Sequence, residues 1–243
     1  MSGHSKWSKI KRGKGIKDEQ KGQMFSKLSR FITLAVKEGG GISDPDKNVR
    51  LRLAVMKAKE FNMPKENIAR AIEKAKGSQD VDLKEIVYEG FGQGGVSLII
   101  IAATDNPNRT LSEIRKILEQ AGGKLGSAGS ALYNFEKCGV VVFDKQAISE
   151  NMVLQLMGKI QAQDIEEDES NFVLYVPFEE LGHVEKNIDQ AFPKPTTIDI
   201  FYRPLTTIDI SDKEIADKIL SLVETLEELD DVHKVYVNSS FSI

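Results

Sequence analysis

The sequence contains almost no cysteine, which limits the chemistry that it can carry. Cys138 is the only cysteine among 243 residues, so an internal disulfide and a zinc site built from cysteines are both excluded. The three histidines, His4, His183 and His233, are scattered without the spacing of metal ligands. We therefore expect neither a metal site nor a cofactor.

Long hydrophobic runs are also missing. The longest run of apolar or small residues, 96–103, is too short to span a bilayer. The basic N-terminus is not followed by the apolar stretch of a secretory signal. A single cysteine is compatible with a reducing compartment. We therefore expect a cytoplasmic protein that has no membrane partner.

The sequence lacks a convincing catalytic motif. Gly90, Gly92 and Gly95 match the spacing G-x-G-x-x-G, but they precede a predicted strand instead of opening a helix. They are therefore interpreted as a hairpin turn. The acidic run 164–169 is interpreted as a solvated loop in preference to a cation site, and Cys138 as a structural thiol. We expect no small-molecule substrate and no enzymatic activity.

Charge is distributed very unevenly along the chain. The formal net charge is only −4, but residues 1–77 contain 19 Lys and Arg against 8 Asp and Glu, a balance of +11. The remaining residues contain 14 against 29, a balance of −15. A basic front and an acidic back on one chain indicate an electrostatic contact at a defined place, not general adhesion.

The first thirty residues combine bases with glycine and serine and contain one tryptophan. Such a segment cannot bury enough apolar surface to offset its ordering entropy, so we expect a mobile arm that binds a polyanion. A solvated tail is the alternative, but the basic residues that follow favour nucleic-acid binding. Trp7 either stacks on an exposed base or anchors the arm on the protein. The predicted phosphate contacts are Lys6, Lys9, Lys11, Arg12, Lys14, Lys17 and Lys21.

Arg109 is a further candidate for the nucleic-acid site. It lies in a loop next to the start of a predicted helix, where backbone N–H groups favour anions. The alternative is a capped turn with a surface arginine, and the sequence leaves both interpretations open.

Hydrophobic periodicity predicts three short amphipathic helices in the basic front. The first runs from about Gln20 to Glu38, and the second is predicted to start at an N-cap at Asp44, followed by Pro45. The third starts at Pro64 and stops at Gly77. Residues 1–77 are therefore predicted to form a basic arm and a helical domain.

Strands and helices alternate in the acidic back, which predicts two small α+β domains of the split-βαβ, ferredoxin-like type. A helix capped by Thr110 and Glu113 is followed by strands around 131–135 and 139–143. Each such domain needs two helices, so we expect the last helix and strand to complete the middle domain. The predicted boundaries are 78–145 with 208–243 for the middle domain and 146–207 for the inserted domain.

Several separate motifs in order resemble one family. They are Gly3-His4-Ser5-Lys6-Trp7, Ile68-Ala69-Arg70-Ala71-Ile72, Tyr88-Glu89-Gly90-Phe91-Gly92, Asn108-Arg109-Thr110 and Gly122-Gly123-Lys124-Leu125-Gly126. The chain is similar over essentially its full length to the YebC/PmpR family of probable transcriptional regulatory proteins, which is related to a mitochondrial translational activator of cytochrome c oxidase. The resemblance implies a helical first domain, two α+β domains and no established catalytic residues.

These observations predict a cytoplasmic, nucleic-acid-binding regulator of gene expression. The resemblance favours a transcriptional regulator that binds DNA. A ribosome- or RNA-associated translation factor stays open as the alternative, because sequence-specific DNA readout usually places a helix in the major groove and no reading helix is evident.

Overall fold

The computed structural model describes residues 18–77 and 83–242, which have an α+β fold. They divide into two compact units. One unit contains residues 135–205, and the other contains 18–77, 83–134 and 206–242. The helices are α1 (Asp18–Glu38), α2 (Val49–Glu60), α3 (Lys65–Gly77), α4 (Pro107–Gln120), α5 (Glu150–Lys159), α6 (Val184–Asn187) and α7 (Lys213–Glu228). The strands are β1 (Lys84–Phe91), β2 (Ser97–Thr104), β3 (Lys124–Leu125), β4 (Phe135–Asp144), β5 (Asp164–Glu167), β6 (Asn171–Pro177), β7 (Thr197–Pro204), β8 (Ile208–Ile210), β9 (Val232–Val237) and β10 (Ser239–Phe241).

The three front helices bury their apolar stripes against one another. Leu28 and Ile32 of α1 pack with Leu51 of α2 and Ile68 of α3. The start of α2 differs from the prediction because Asn48, and not Asp44, caps it. The Asn48 side-chain oxygen accepts from Leu51 N at 3.1 Å, and its amide nitrogen donates to Ala35 O at 2.8 Å. These two bonds tie the N-terminus of α2 to α1.

The sheet of the larger unit has the order β3-β1-β2-β9. Strands β2 and β3 flank β1 and are connected through α4, which is a split βαβ arrangement. Helices α4 and α7 bury Leu118 and Ile219 in one core with Ile100 of β2. Strand β9 pairs with β2, so α7 and β9 complete this sheet as predicted.

The opposite face of this sheet is covered at one end by α1. Phe31 and Leu34 of α1 pack with Ala103, at the end of β2, and with Leu83. The helical front and the first sheet therefore belong to one unit. The sequence boundary at residue 77 does not separate two independently packed bodies, because apolar side chains bridge the two parts.

Residues 135–205 form a second α+β unit with the strand order β5-β6-β4-β7, which is the ferredoxin-like order. The structure places β4 here because it pairs with both β6 and β7. The sequence had assigned residues 139–143 to the middle domain, ahead of a boundary at 145. This assignment is corrected, because local periodicity identifies a strand but not the sheet that it joins.

Three other local expectations differ from the structure. Residues 131–135 are mainly a 3-10 turn, Leu132–Asn134, instead of a strand. Helix α4 starts at Pro107 and is capped by Asn106, so Thr110 is buried inside the helix and is not its cap. Each split-βαβ domain was expected to have two helices, but the second helix of the second unit, after β6, is reduced to a 3-10 turn, Phe178–Gly182, and the four-residue α6. Across the described residues, no helix has both the length and the apolarity required to cross a membrane.

Candidate nucleic-acid interface

Most of the predicted nucleic-acid contacts lie outside the described residues. These are Lys6, Trp7, Lys9, Lys11, Arg12, Lys14 and Lys17, and their role stays a prediction. Lys21 is described, and it lies exposed near the start of α1. Helix α1, which follows the basic segment, is therefore the first part of the candidate interface for which the structure shows the contacts.

Lys27 and Phe31 attach α1 to the end of α7 and to β9. Lys27 is buried and donates from Nζ to the backbone carbonyl oxygen of Glu227. Burial lowers the pKa of Lys27, although the negative charge of Glu227 acts to raise it. Next to it, the rings of Phe31 and His233 stack with 3.6 Å between their centroids. Lys27 is therefore a docking residue and not a phosphate contact.

Asp231 is the centre of a buried polar cluster that joins three segments of the chain. Its carboxylate is 3% exposed and contacts the guanidinium of Arg30 from α1. It accepts from Thr110 Oγ1 at 2.7 Å and from Thr104 Oγ1 at 3.1 Å. Burial alone raises the pKa of Asp231, but the hydrogen bonds from Arg109 and Thr110 and the charge of Arg30 outweigh it, so the pKa lies below its ordinary value.

Arg109 belongs to the same cluster. Its Nη2 donates to Asp231 at 2.7 Å and to Asp105 at 3.1 Å. Hydrogen bonding to Asp231 raises the pKa of Arg109, so its positive charge is held beside a buried carboxylate. The side chain is 44% exposed, but its charge is balanced by Asp231 and Asp105. This geometry favours the interpretation of a capped turn over that of a phosphate site, although Arg109 as a nucleic-acid contact stays a prediction.

The pair of helices α2 and α3 carries three cations without a partner among the described residues. Lys59 lies in the last turn of α2, Lys65 is the first residue of α3, and Arg70 follows on α3. All three are exposed. The helices are joined by a four-residue turn in which Asn62 has a φ of 56°. These cations are available to a polyanion without breaking an existing ion pair.

Other cations of the front are engaged with acids. Lys57 and Lys76 pair with the residue three positions away, Glu60 at 3.1 Å and Glu73 at 3.0 Å. Arg50 contacts Glu38 and, at 3.0 Å, Glu85 of β1. The positive balance of the front therefore overstates the number of cations that are free to bind phosphate.

Glu89 organises a glycine-rich loop at the other end of the sheet. Its buried carboxylate accepts from the backbone N–H groups of Gly129 at 2.5 Å, Ala131 at 2.6 Å and Leu132 at 2.7 Å. Its backbone carbonyl accepts from Gly126 N at 2.8 Å. One side chain thus replaces the strand partners that this loop lacks.

The turn Gly92–Gly95 has the geometry of a hairpin connection. It leads from β1 into β2, which are antiparallel, and Gly94 and Gly95 have positive φ values of 71° and 77°. A dinucleotide fingerprint would have to open a helix, and here the chain continues as a strand. The hairpin interpretation is therefore the one that fits.

The acidic run of the second unit is built into the fold. Asp164 and Glu166 lie on β5, where Arg203 contacts both, and the hydrogen bond from Arg203 lowers the pKa of Asp164. Asp168 is buried and accepts from Ser170 N at 2.7 Å. The expectation of a solvated loop is therefore corrected. Nowhere in the described part of the chain do three or more acids, histidines or cysteines form a group that suits a metal ion.

Cys138 is buried in β4, and burial raises its pKa to about 11. A thiol with this pKa is protonated at neutral pH and is a poor nucleophile. The environment agrees with the interpretation of a structural thiol.

Sequence reasoning missed Asp231 and Glu89. Asp231 follows Asp230 in an acidic helix end and looks like a solvated residue. Glu89 offered a weak signal, because it is the one acid beside the glycines of a predicted turn. The partners of both lie far away in the sequence, so no local pattern identifies them.

Two family models together match most of the chain. Residues 5–78 match the family model for the TACO1/YebC protein N-terminal domain, and residues 83–239 match the model for the TACO1/YebC second and third domain. A probable transcriptional regulatory protein of Chloroflexus aurantiacus is 45% identical over 98% of this chain and 95% of its own length. A probable transcriptional regulatory protein of Aquifex aeolicus is 40% identical, again over 98% of this chain and 95% of its own length.

A solved structure agrees with the sequence matches. The crystal structure of a conserved hypothetical protein from Aquifex aeolicus has a TM-score of 0.83 and 38% identity, and the match covers 93% of each chain. The resemblance inferred from the sequence motifs is thereby confirmed. Full-length sequence similarity and a shared fold lead to one conclusion: this chain belongs to the TACO1/YebC family.

Proposed function

We propose that the protein is a non-enzymatic regulator of gene expression that acts in the cytoplasm by binding nucleic acid. Its primary role is transcriptional, with DNA as the ligand. The observation that carries this proposal is the charge of the front, +11 over residues 1–77, combined with Lys59, Lys65 and Arg70. Exposed cations without protein partners release condensed counterions from a phosphate backbone when they bind it.

The names of the relatives support the transcriptional role, since they are probable transcriptional regulatory proteins. The helix pair α2–α3 supports DNA as the ligand. It consists of two helices with a short turn between them, and the second helix carries exposed cations from its first residue. This is the type of element that approaches a duplex groove.

A second candidate is an RNA-associated translation factor, with the ribosome as a possible partner. The observation that favours it is Tyr133, an aromatic side chain that is 70% exposed. An exposed aromatic ring stacks on unpaired bases, which single strands offer and a duplex does not.

The test replaces cations of the N-terminal segment in the full chain. Lys9, Lys11 and Arg12 are changed together to Ala, and binding to a labelled DNA duplex is measured by fluorescence anisotropy from 50 to 200 mM salt. We expect weaker binding to every duplex sequence and a log–log salt slope that is shallower by about 2.7, because each phosphate contact contributes about 0.9.

The matched control removes the same charge from the acidic back. Lys186, Lys194 and Lys213, which are all exposed, are changed together to Ala. We expect this triple variant to bind like the parent. If the two triple variants have the same slope and affinity, the N-terminal segment is not the binding site.

A further inference from the structure

Two segments that form one end of the larger unit's sheet contain few acids, although this part of the chain as a whole is acidic. Residues 83–134 and 206–242 together contain 8 Lys and Arg against 14 Asp and Glu. Within them, residues 120–134 contain no acid, and the only acid in 86–104 is Glu89, whose carboxylate is buried and occupied by backbone N–H groups. A phosphate meets less repulsion here than elsewhere on this unit.

The strand register brings a lysine and two aromatic residues to this end. Lys124 of β3 is paired with Phe91 of β1, which is paired with Ser97 of β2. The Lys124 ammonium lies 5.5 Å from the centroid of the Phe91 ring. Asn134 donates to Ser97 Oγ at 3.1 Å, so the turn that carries Tyr133 is attached to the same end of the sheet. With adjacent strands about 4.8 Å apart, Lys124 and Ser97 are separated by about 10 Å.

Tyr133 is presented by a rigid turn. On one side, Ala131 and Leu132 donate their N–H groups to Glu89, and Ala131 is fully buried. On the other side, Asn134 is held by Ser97. Tyr133 itself is 70% exposed. Little backbone entropy is lost when a partner binds a side chain whose turn is already held in place.

The geometry points to a binding surface for single-stranded nucleic acid formed by Lys124, Phe91 and Tyr133, which stacks an unpaired base on Tyr133 and places a phosphate at Lys124. We call it the Tyr133 surface. It rests on the proposed function, since it is a second contact of a nucleic-acid-binding protein. The low acid content of segments 86–104 and 120–134 favours nucleic acid over a basic peptide, and the aromatic ring favours unpaired bases over a duplex.

The Tyr133 surface is separate from the docking cluster of α1. Phe91 is the last residue of β1, whereas Lys84, at the other end of β1, is paired with Thr104 of the Asp231 cluster. Seven residue steps along a strand correspond to about 23 Å. Changes at Tyr133 therefore leave the attachment of the basic front intact.

The experiment compares two probes on the full chain. Labelled 12-nucleotide oligo(U) and oligo(dT) are the single-stranded probes, and a 12-base-pair DNA duplex is the double-stranded probe. We expect Tyr133→Ala to weaken binding of the single strands about tenfold, within the range that one base stack provides, and to leave duplex binding unchanged. Tyr133→Phe keeps the ring and is expected to bind within about twofold of the parent.

Leu154→Ala is the matched control, because Leu154 is also a large exposed apolar residue but lies on α5 in the second unit. It is expected to bind all probes like the parent. A difference between oligo(U) and oligo(dT) tells whether RNA or DNA is preferred. Unchanged single-strand binding by Tyr133→Ala, or an equal loss for the duplex, overturns the Tyr133 surface. If the parent chain binds no probe, the proposed function fails as well.

Discussion

At the scale of single residues, Asp231 connects distant parts of the larger unit. Its carboxylate contacts Arg30 from the helical front, Arg109 at the start of α4, and Thr110 in the same helix. Removal of one partner from a buried charged group costs several kcal/mol, because the remaining charges are left uncompensated. Asp231 therefore contributes more to holding α1 on the sheet than its place in an acidic run suggests.

We predict that Asp231→Asn lowers the free energy of unfolding of the larger unit by about 3 kcal/mol. Asn keeps the shape but removes the carboxylate that Arg30 contacts and leaves Arg109 with Asp105 as its acidic partner. Urea denaturation at pH 7 measures the effect. Asp230→Asn is the control, since Asp230 is exposed and adjacent, and its effect is expected to stay within about 0.5 kcal/mol. Equal stabilities of the two variants would contradict the role of Asp231.

The same contacts predict a pH dependence. The pKa of folded Asp231 lies below its ordinary value of about 4, so the unfolded chain binds the proton more readily. The stabilisation is complete above about pH 5 and is lost as the pH falls through the folded pKa. Denaturation midpoints measured from pH 6 to pH 3 are expected to fall less steeply in Asp231→Asn than in the parent. Parallel curves would show that other carboxylates account for the acid sensitivity.

Glu89 provides a third prediction at this scale. A carboxylate accepts three backbone N–H bonds from residues 129–132, whereas a glutamine amide offers one oxygen and turns a donor toward other donors. We expect Glu89→Gln to destabilise the loop by about 2 kcal/mol. Hydrogen exchange of Gly129, Ala131 and Leu132 amides should accelerate accordingly. Glu113→Gln, at an exposed position on α4, serves as the control and is expected to leave those amides protected.

At the scale of elements, three glycines allow the effect of backbone conformation on stability to be measured without a change in packing. Gly22 in α1, Gly158 in α5 and Gly129 in the glycine loop all have free space where a methyl group would go. Only Gly129 has a positive φ, 81°. Any difference between alanine substitutions at these sites therefore reports the backbone alone.

We predict that Gly22→Ala and Gly158→Ala each stabilise the protein by about 0.5–1 kcal/mol, because alanine is the better helix former. Gly129→Ala is expected to destabilise it by about 1 kcal/mol, because an L-residue rarely adopts this conformation. Thermal unfolding monitored by circular dichroism distinguishes the signs. A stabilising Gly129→Ala would show that the loop changes its conformation.

At the scale of the whole molecule, the separation of charge predicts strong salt dependence. If the basic front neutralises about six phosphates, affinity should fall by about a thousandfold between 50 and 200 mM salt. The net charge of −4 gives no hint of this, because the acidic back masks the basic front. Titrations at four salt concentrations measure the slope. A slope near zero would show that contacts with the phosphate backbone are not the main source of affinity.

The sequence by itself was sufficient for the α+β class, the three front helices, the return of α7 and β9 to the first sheet and the separation of charge. Most of these properties depend on local periodicity and composition, which each segment carries alone. The return of α7 and β9 was inferred from the two helices that each split-βαβ domain needs. The family resemblance has the same basis, since its motifs are short and contiguous.

Only the tertiary structure decided which charges are available to a ligand. In the sequence, Lys27, Arg30 and Arg109 look the same as Lys59 or Lys65, yet the first three are engaged with acceptors on distant segments. The sheet that β4 joins and the loop that Glu89 holds are likewise set by partners about 30 to 70 residues away. Long-range pairing depends on how the chain packs as a whole, and no local pattern encodes it.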